Sequence, residues 1–260
     1  FNVGGAPQDL GTLGGRNSYA SAINGSGQIV GAADVLTYTP RYVMATHAAL
    51  WSGGQVSDLG TLGGAQSYAW GINDLGTIVG VSNVPTRPYP FPTVWVGSVP
   101  TSLATPDQLN AKINAINNAG VAVGFTETNT TNYHAALWRD GQTVDLSPMA
   151  GSMAFGINNG GQIVGTNSSH AVLWFNSSET DLNDFLDADS KQQGWVLREA
   201  TGINDLGWIV GNAFNYQTLQ THAYLMAVTS VPEASSFNLM LLGVLCICVS
   251  GLRQNGKKSA

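Results

Sequence analysis

The chain has 260 residues, of which only 10% are charged and 32 are glycine, where about 25% charged and about 7% glycine are usual. Because 43% of the residues are apolar, the chain can bury a core and is not a disordered polar tract. The net charge of −6 argues against nucleic-acid binding, which needs a basic stripe. Few charges and many glycines predict an all-β fold of short strands joined by turns.

Three short strings recur along residues 1–230 and define five copies of one unit. The first is Ile-Asn-x-x-Gly-x-(Ile/Ala)-Val-Gly, whose asparagines are Asn24, Asn73, Asn117, Asn158 and Asn204. The second is His-Ala-x-Leu-(Trp/Met), which begins at His47, His134, His170 and His222 and is replaced in the second unit by Phe91-Pro-Thr-Val-Trp95. The third is Asp-Leu, at Asp9, Asp58, Asp145 and Asp181. This regular recurrence indicates a repeat architecture.

Each unit reads as four strands. The first two are Ser67–Ile72 and Thr77–Val81 in the second unit, and the last two are His47–Trp51 and Val56–Leu59 in the first. We expect the asparagine of the first string to cap a tight turn, and its glycine to supply a positive φ. Since the turns are short, neighbouring strands should be antiparallel.

Four-stranded units repeating every 41 to 49 residues match the blades of a β-propeller. The sequence therefore predicts a five-bladed propeller over residues 1–230, with an open repeat array as the main alternative. The fifth unit lacks a fourth strand, and the chain opens on a spare fourth-strand sequence, Ala6–Leu10. We expect residues near Pro7–Leu10 to pair beside His222–Val228 and close the ring.

Residues 231–260 form a separate tail. Phe237–Leu252 carries no charge and predicts a membrane helix, although a buried core helix remains an alternative because sixteen residues span only about 24 Å. Arg253, Lys257 and Lys258 follow, which places the end of the chain in the cytoplasm and residues 1–230 outside. Export needs a leader, so we expect a signal peptide to have preceded Phe1.

The tail resembles the PEP-CTERM sorting signal of Gram-negative bacteria, in which a short proline motif precedes one membrane helix and a basic end. The motif here is Val231, Pro232 and Glu233, followed by Ala234 where the family usually has a second proline. The resemblance implies recognition by an exosortase, cleavage near the motif, transient anchoring in the inner membrane and transfer to the cell surface, often beside exopolysaccharide.

The repeats resemble the HAF repeat of bacterial extracellular proteins over residues 9–228. That pattern runs from Asp-Leu-Gly-Thr-Leu-Gly-Gly through Ile-Asn-x-x-Gly-x-Ile-Val-Gly to His-Ala-Phe-x-Trp, and Ala49, Ala136, Val172 and Tyr224 stand here in place of the phenylalanine. HAF proteins frequently carry PEP-CTERM tails, so the two resemblances support each other. The family implies no activity.

Repetition argues against catalysis and metal binding, because a catalytic site is normally present once. The four histidines occupy one equivalent strand position and should not converge, so we expect neither a metal nor a cofactor. Asp184, Asp187 and Asp189 favour a solvated turn over a calcium site, since the spacing lacks the glycine and final glutamate of an EF-hand loop. A glycoside hydrolase using single-copy acids in the propeller channel is the alternative function, with Asp34, Asp107, Glu127 and Glu199 as candidates.

The loops between second and third strands should all lie on one face, the long-loop face, whereas the other face carries tight turns. Aromatic and arginine side chains in these loops suit contact with a polysaccharide or a protein, although packing over the loop bases is an equal alternative. The candidate binding residues are Tyr38, Arg41, Tyr42, Arg87, Tyr89, Tyr133 and Tyr216. The sequence thus predicts a non-catalytic exported surface or matrix protein, and a passive coat component is a further possibility.

Overall fold

A computed structural model describes residues 6–36, 45–86, 89–103, 110–129, 132–147, 149–230 and 242–246. These residues form an all-β structure of five four-stranded antiparallel sheets, numbered 1 to 5 along the chain. Within each sheet the strands follow one another in chain order. The predicted all-β fold of repeated four-stranded units is therefore confirmed.

The strand bounds follow the repeat closely. Sheet 1 contains β1 (Gly14–Ile23), β2 (Ile29–Val35), β3 (Ala45–Ser52) and β4 (Gln55–Asp58). Sheet 2 contains β5 (Ser67–Ile72), β6 (Thr77–Ser82), β7 (Phe91–Val96) and β8 (Val99–Ser102). Sheet 3 contains β9 (Ala111–Ile116), β10 (Ala122–Asn129), β11 (Asn132–Arg139) and β12 (Gln142–Asp145).

Sheets 4 and 5 are separated by a short helical insert. Sheet 4 contains β13 (Ser152–Ile157), β14 (Ile163–Asn167), β15 (His170–Phe175) and β16 (Ser178–Asp181). A 3-10 helix (Leu182–Phe185) and helix α1 (Ala188–Gln192) follow. Sheet 5 contains β17 (Trp195–Ile203), β18 (Trp208–Asn215), β19 (Gln220–Ser230) and β20 (Leu242–Cys246).

The asparagine of the first string caps the turn between first and second strands, as predicted. In sheet 2 the Asn73 Oδ1 atom accepts the backbone N–H groups of Leu75, at 3.1 Å, and Thr77, at 2.8 Å. Gly76 in the same turn has a φ of 78°, and the glycines at this position in the other four sheets also have positive φ. The motif is thus explained by local turn geometry.

Four of the five buried apolar clusters formed by the described residues lie between consecutive sheets. Val30 of β2, for example, packs with Ala69 and Ile72 of β5 and with Leu59, which follows β4. The same arrangement joins β6 to β9, β10 to β13 and β14 to β17. Among the described residues, no comparable packing joins β18 of sheet 5 to β1 of sheet 1.

The fourth strand of sheet 5 is not the one predicted, because residues 242–246 pair with β19 and the described residues 7–10 do not. Strand β20 pairs with β19, with Met226 opposite Cys246 and Ser230 opposite Leu242. Residues 242–246 lie inside the predicted membrane helix 237–252, so the helix prediction is wrong for them, and the rest of that range lies outside the described residues. The open edge of β19 offers backbone donors and acceptors, which an apolar segment satisfies by pairing. No helix within the described ranges is long and apolar enough to cross a membrane.

The segment before β1 lies against sheet 1. Leu10 and Leu13 pack on Ala33, Ala49 and Trp51. The Asp9 Oδ1 atom accepts the Gly11 N–H at 2.9 Å, as Asp58 Oδ1 accepts the Gly60 N–H at 2.7 Å in the connection before β5. The opening segment therefore has the local geometry of a chain that leaves a fourth strand and enters the next sheet.

Candidate functional site

The described residues enclose two notable cavities, one on each face. A cleft of about 290 Å³ lies on the long-loop face, where sheets 4 and 5 meet. A polar pocket of about 280 Å³ lies on the tight-turn face, and all five first turns contribute to it. The first is built mainly around an insert that occurs once, and the second by turns that recur in every sheet.

The cleft is built around the insert between β16 and β17. Asp181 begins the 3-10 helix by accepting the Asn183 N–H at 2.8 Å. Asn183 then fastens the insert to β17, since its Oδ1 atom accepts the Leu197 N–H at 2.7 Å and its Nδ2 atom donates to the Leu197 carbonyl at 3.0 Å. Leu182 and Leu186 bury their side chains in the core cluster of sheet 5. The insert is therefore rigidly held.

Aromatic and basic side chains surround the opening of this cleft. Its lining residues are His170, Asn183, Leu186, Lys191, Gly194, Trp195, Val196 and Tyr216. Tyr216 is 55% exposed, and its hydroxyl accepts a hydrogen bond from Arg198 Nη1 at 3.0 Å. The ring of Trp195 packs against the His222 ring with centroids 4.7 Å apart. The two aromatic rings are thus held in place while part of their surface stays available.

A histidine–aspartate pair borders the cleft. The His170 Nδ1 atom lies 2.6 Å from Asp181 Oδ2. Burial by itself raises the pKa of the Asp181 carboxyl, but hydrogen bonds from the Asn183 side chain and backbone, together with His170, outweigh it and hold the pKa below its ordinary value. Asp181 is therefore an anchor for the insert and not a proton donor near neutral pH.

The same pair recurs in two other sheets, at His47–Asp58 and His134–Asp145, both at 2.9 Å. The second and third strings of the sequence thus meet in space, and each histidine pairs inside its own sheet. No group of three or more metal-ligating side chains is found in the part of the chain that the structure describes. In sheet 5, His222 stacks on Trp195 instead.

The polar pocket on the tight-turn face is formed by a relay of hydrogen bonds between turns. The Nδ2 atom of each first-string asparagine donates to the backbone carbonyl of the next one, at 3.1 Å in every case, from Asn24 through Asn73, Asn117 and Asn158 to Asn204. The next residue forms a second relay, in which the Asp74 Oδ1 atom accepts the Gly25 N–H at 2.7 Å. These bonds hold the pKa of Asp74 below its ordinary value, through the Asn118 side chain first and the Gly25 backbone second. The pocket is therefore a structural hub.

The predicted binding residues are only partly brought together. Tyr216 lines the cleft, whereas Tyr133 packs edge-on against Phe125 in sheet 3, with centroids 5.1 Å apart. Tyr89 is 54% exposed and does not line the cleft. Tyr38, Arg41, Tyr42 and Arg87, and the sorting motif Val231, Pro232 and Glu233, lie outside the described residues.

The candidate acids for hydrolysis are bound locally. Asp34 is 5% exposed and accepts hydrogen bonds from Asn17 and Thr46, Glu127 accepts one from Asn110, and Glu199 accepts one from Asn212. None of these three lines the cleft or the polar pocket on the tight-turn face, and Asp107 lies outside the described residues.

Asp187, one of the three aspartates considered for a calcium site, caps helix α1 by accepting the Ser190 N–H at 2.7 Å.

Sequence reasoning missed Trp195, Lys191 and His170 as cleft residues. A usable signal was present, because the connection from Asp181 to Trp195 is longer than the corresponding connection in the other units and occurs once. This connection follows a fourth strand, whereas the predicted binding residues all belong to loops between second and third strands. Comparison with known proteins adds nothing to the assignment, since no family model, curated protein or solved structure matches the chain.

Proposed function

We propose that this protein is a non-catalytic, exported binding module that holds extracellular polysaccharide in the cleft between sheets 4 and 5. The observation that carries the proposal is the exposed Tyr216 ring beside Trp195, fixed by Arg198 in a cleft of about 290 Å³. Aromatic faces cover the apolar face of a sugar ring, and neighbouring polar groups bind its hydroxyls. Lys191 supplies a donor at the rim of this cleft.

The rigidity of the insert supports the proposal. A preorganised site loses little conformational entropy on binding, and the Asn183–Leu197 bonds hold the insert against β17 before any ligand arrives. The Arg198–Tyr216 bond has the same effect on the exposed ring. The proposed site is therefore one cleft and not the whole long-loop face.

We further propose that the five sheets are the blades of a five-bladed propeller, closed by the N-terminal strand. The support is the opening segment, because Asp9–Gly11 and Leu10 repeat on sheet 1 the contacts that Asp58–Gly60 and Leu59 make on sheet 2. The relay of five turns around one pocket also suits a ring. Among the described residues β20 is the fourth strand of sheet 5, and in the closed ring the opening segment would take this place.

The sorting tail gives this module its place in the cell. We propose that an exosortase-type enzyme recognises Val231, Pro232 and Glu233 and that the module reaches the surface of a Gram-negative bacterium, beside the polysaccharide that it binds. Cell fractionation of strains with and without the exosortase tests this part, and equal surface amounts in both strains would contradict it.

The cleft is tested by binding to purified exopolysaccharide and to a glycan array. Tyr216→Ala should lose retention, while Tyr89→Ala serves as the matched control because Tyr89 is equally exposed and lies outside the cleft. Retention that survives Tyr216→Ala, or that falls equally in both variants, would contradict the assignment to this cleft. A hydrolysis assay on the same polysaccharide would, if positive, contradict the non-catalytic function.

A further inference from the structure

The space between sheets 5 and 1 contains two halves of an unfinished junction. On sheet 5, Val210 is 47% exposed, whereas the valines at its position in the other four sheets are at most 1% exposed; these are Val30, Val79, Val123 and Val164. Ala223 of β19 is exposed, although Ala48, at the same position in β3, is fully buried. Trp208 adds a further 48% exposed aromatic ring. This face has the composition of a junction core without its partner sheet.

Sheet 1 presents the complementary half. Ile23 is 65% exposed, whereas the equivalent Ile72 is 8% exposed and packs on sheet 1. Ala20 is exposed, and the residues at its position in the other sheets are fully buried; these are Ala69, Ile113, Ala154 and Ala200. Leu10 already lies where a junction leucine belongs, against Trp51. The two exposed faces therefore match by the rule that the other four junctions follow.

The hydrogen-bond relay stops at the same place. The four asparagines from Asn24 to Asn158 are buried and donate to the next turn, whereas Asn204 is exposed and has no such bond to Asn24 among the described residues. In the second relay, Gly25 stands where the other sheets have aspartate or asparagine, so it cannot accept the Asp205 N–H through a side chain. Neither relay therefore joins sheet 5 to sheet 1 among the described residues.

The positions of two segments on the outer edge of β19 overlap at Met226 and Ala227. In sheet 1 the third and fourth strands pair with Ala49 opposite Asp58 and Trp51 opposite Val56. The same register in sheet 5 puts Asp9 opposite Tyr224 and Pro7 opposite Met226, which is the residue that β20 pairs with through Cys246. Proline is acceptable there, because Pro100 occupies this position opposite Trp95 in sheet 2. Asp9 would then lie beside His222, as Asp58 lies beside His47.

We infer that tail strand β20 holds the ring open, and that displacing it from β19 lets residues 6–10 pair there and brings β18 onto β1. The inference rests on the proposed propeller. The closure buries the exposed faces of Val210, Ala223, Ala20 and Ile23, and it gives the fifth sheet a fourth strand from the opening segment in place of β20. Cleavage at the sorting motif would remove β20 and couple processing of the tail to completion of the fold.

The test measures how fast a maleimide labels a cysteine at residue 20 in the full chain, with Cys246→Ser and Cys248→Ser present throughout. Ala20→Cys is compared with Ala200→Cys, at the same position in the closed junction, and with Ser26→Cys in an exposed turn. A cysteine fits at residue 20 after closure because sheet 3 holds an isoleucine there. Val244→Pro is made together with Gly243→Pro, because adjacent N–H groups of a strand point to opposite sides and one of these two faces β19; the pair of prolines therefore breaks the pairing of β20. Leu252→Pro is the control outside that strand.

We expect the residue-20 thiol to react as fast as the residue-26 thiol in the intact chain and with Leu252→Pro. With Gly243→Pro and Val244→Pro together it should react about tenfold more slowly or less, approaching the residue-200 thiol. Slow labelling already in the intact chain would overturn the role of the tail while keeping the ring. Fast labelling in every variant would overturn closure and the propeller, whereas the cleft is judged separately by retention of polysaccharide. Protection that appears only at high protein concentration, together with a dimer, would assign the face to a second copy and overturn the inference.

Discussion

The tight-turn face and the long-loop face of this molecule are built by opposite means. On the tight-turn face every sheet contributes the same asparagine, and four identical bonds of 3.1 Å join the turns. On the long-loop face a single insert between β16 and β17 creates the cleft. Residues that recur in every unit therefore hold the sheets together, and an insert that occurs once forms the cleft in which we propose that a ligand binds.

The largest loss of stability should follow when the relay on the tight-turn face is interrupted at its middle turn, at Asn117. Asn117→Ala removes a turn cap, since Asn117 Oδ1 accepts the Val121 N–H at 3.0 Å, and it also removes the bond to the Asn158 carbonyl. We expect a loss of about 2–3 kcal/mol in the free energy of unfolding, measured by urea denaturation.

Asn204→Ala is the matched control for this loss. Asn204 makes the same cap, accepting the Trp208 N–H at 2.9 Å, but it is exposed and ends the relay. We expect this variant to lose about 1 kcal/mol, so the difference between the two isolates the bond between sheets. Equal losses would show that the caps alone stabilise the structure.

A substitution at Gly194, which lies between helix α1 and β17, should change the shape of the cleft and leave the asparagine relay intact. Gly194 has a φ of 81°, and an added Cβ would lie 2.8 Å from Gln217 Cγ. Gly194→Ala should therefore lower stability by about 1–2 kcal/mol and weaken retention of polysaccharide.

The control for that variant is Gly97→Ala, which also has a positive φ, 63°, but no neighbouring atom within 4 Å of the added Cβ. It should cost about 1 kcal/mol and leave retention unchanged. If both variants bind polysaccharide as the unmodified chain does, the shape of the insert is not what the ligand recognises.

The smallest effect concerns acid. Because the pKa of Asp181 in the folded protein is held below its ordinary value, its carboxylate stabilises the fold above about pH 4, and this contribution disappears as the pH falls through the lowered pKa. The carboxyl is partly exposed, so the contribution should stay below about 1 kcal/mol.

Asp181→Asn should therefore flatten the dependence of stability on pH below about pH 4, measured by thermal unfolding. An identical pH dependence in the intact chain and the Asp181 variant would mean that the His170 and Asn183 bonds do not favour the carboxylate.

Local signals were sufficient to predict the sheets. The Asn73–Gly76 turn and the β-branched strand after it are encoded within a few residues, so β5 and β6 appear almost where the sequence places them. The second role of the asparagine was not predictable in this way. Its Nδ2 atom bonds to a residue 41 to 49 positions away, and nothing local specifies which neighbour lies opposite.

The tail shows that amino-acid composition alone does not determine whether an apolar run forms a helix or a strand. A short apolar run satisfies the pattern of a helix and of a buried strand equally well, and the choice depends on whether an open strand edge lies nearby. Strand β20 finds such an edge on β19. The cleft was only partly predicted for a similar reason, because Trp195 begins β17 and Tyr216 lies in the turn after β18, so the two residues line one cleft only after sheet 5 has folded.

The direction of the asparagine relay has a consequence for how such a chain can evolve. The turns at Asn73, Asn117 and Asn158 each donate a side-chain amide N–H to the following turn and accept one from the preceding turn, so each of these three units carries both halves of the connection. A duplicated unit inserted anywhere in the series would find matching partners on both sides without any compensating substitution.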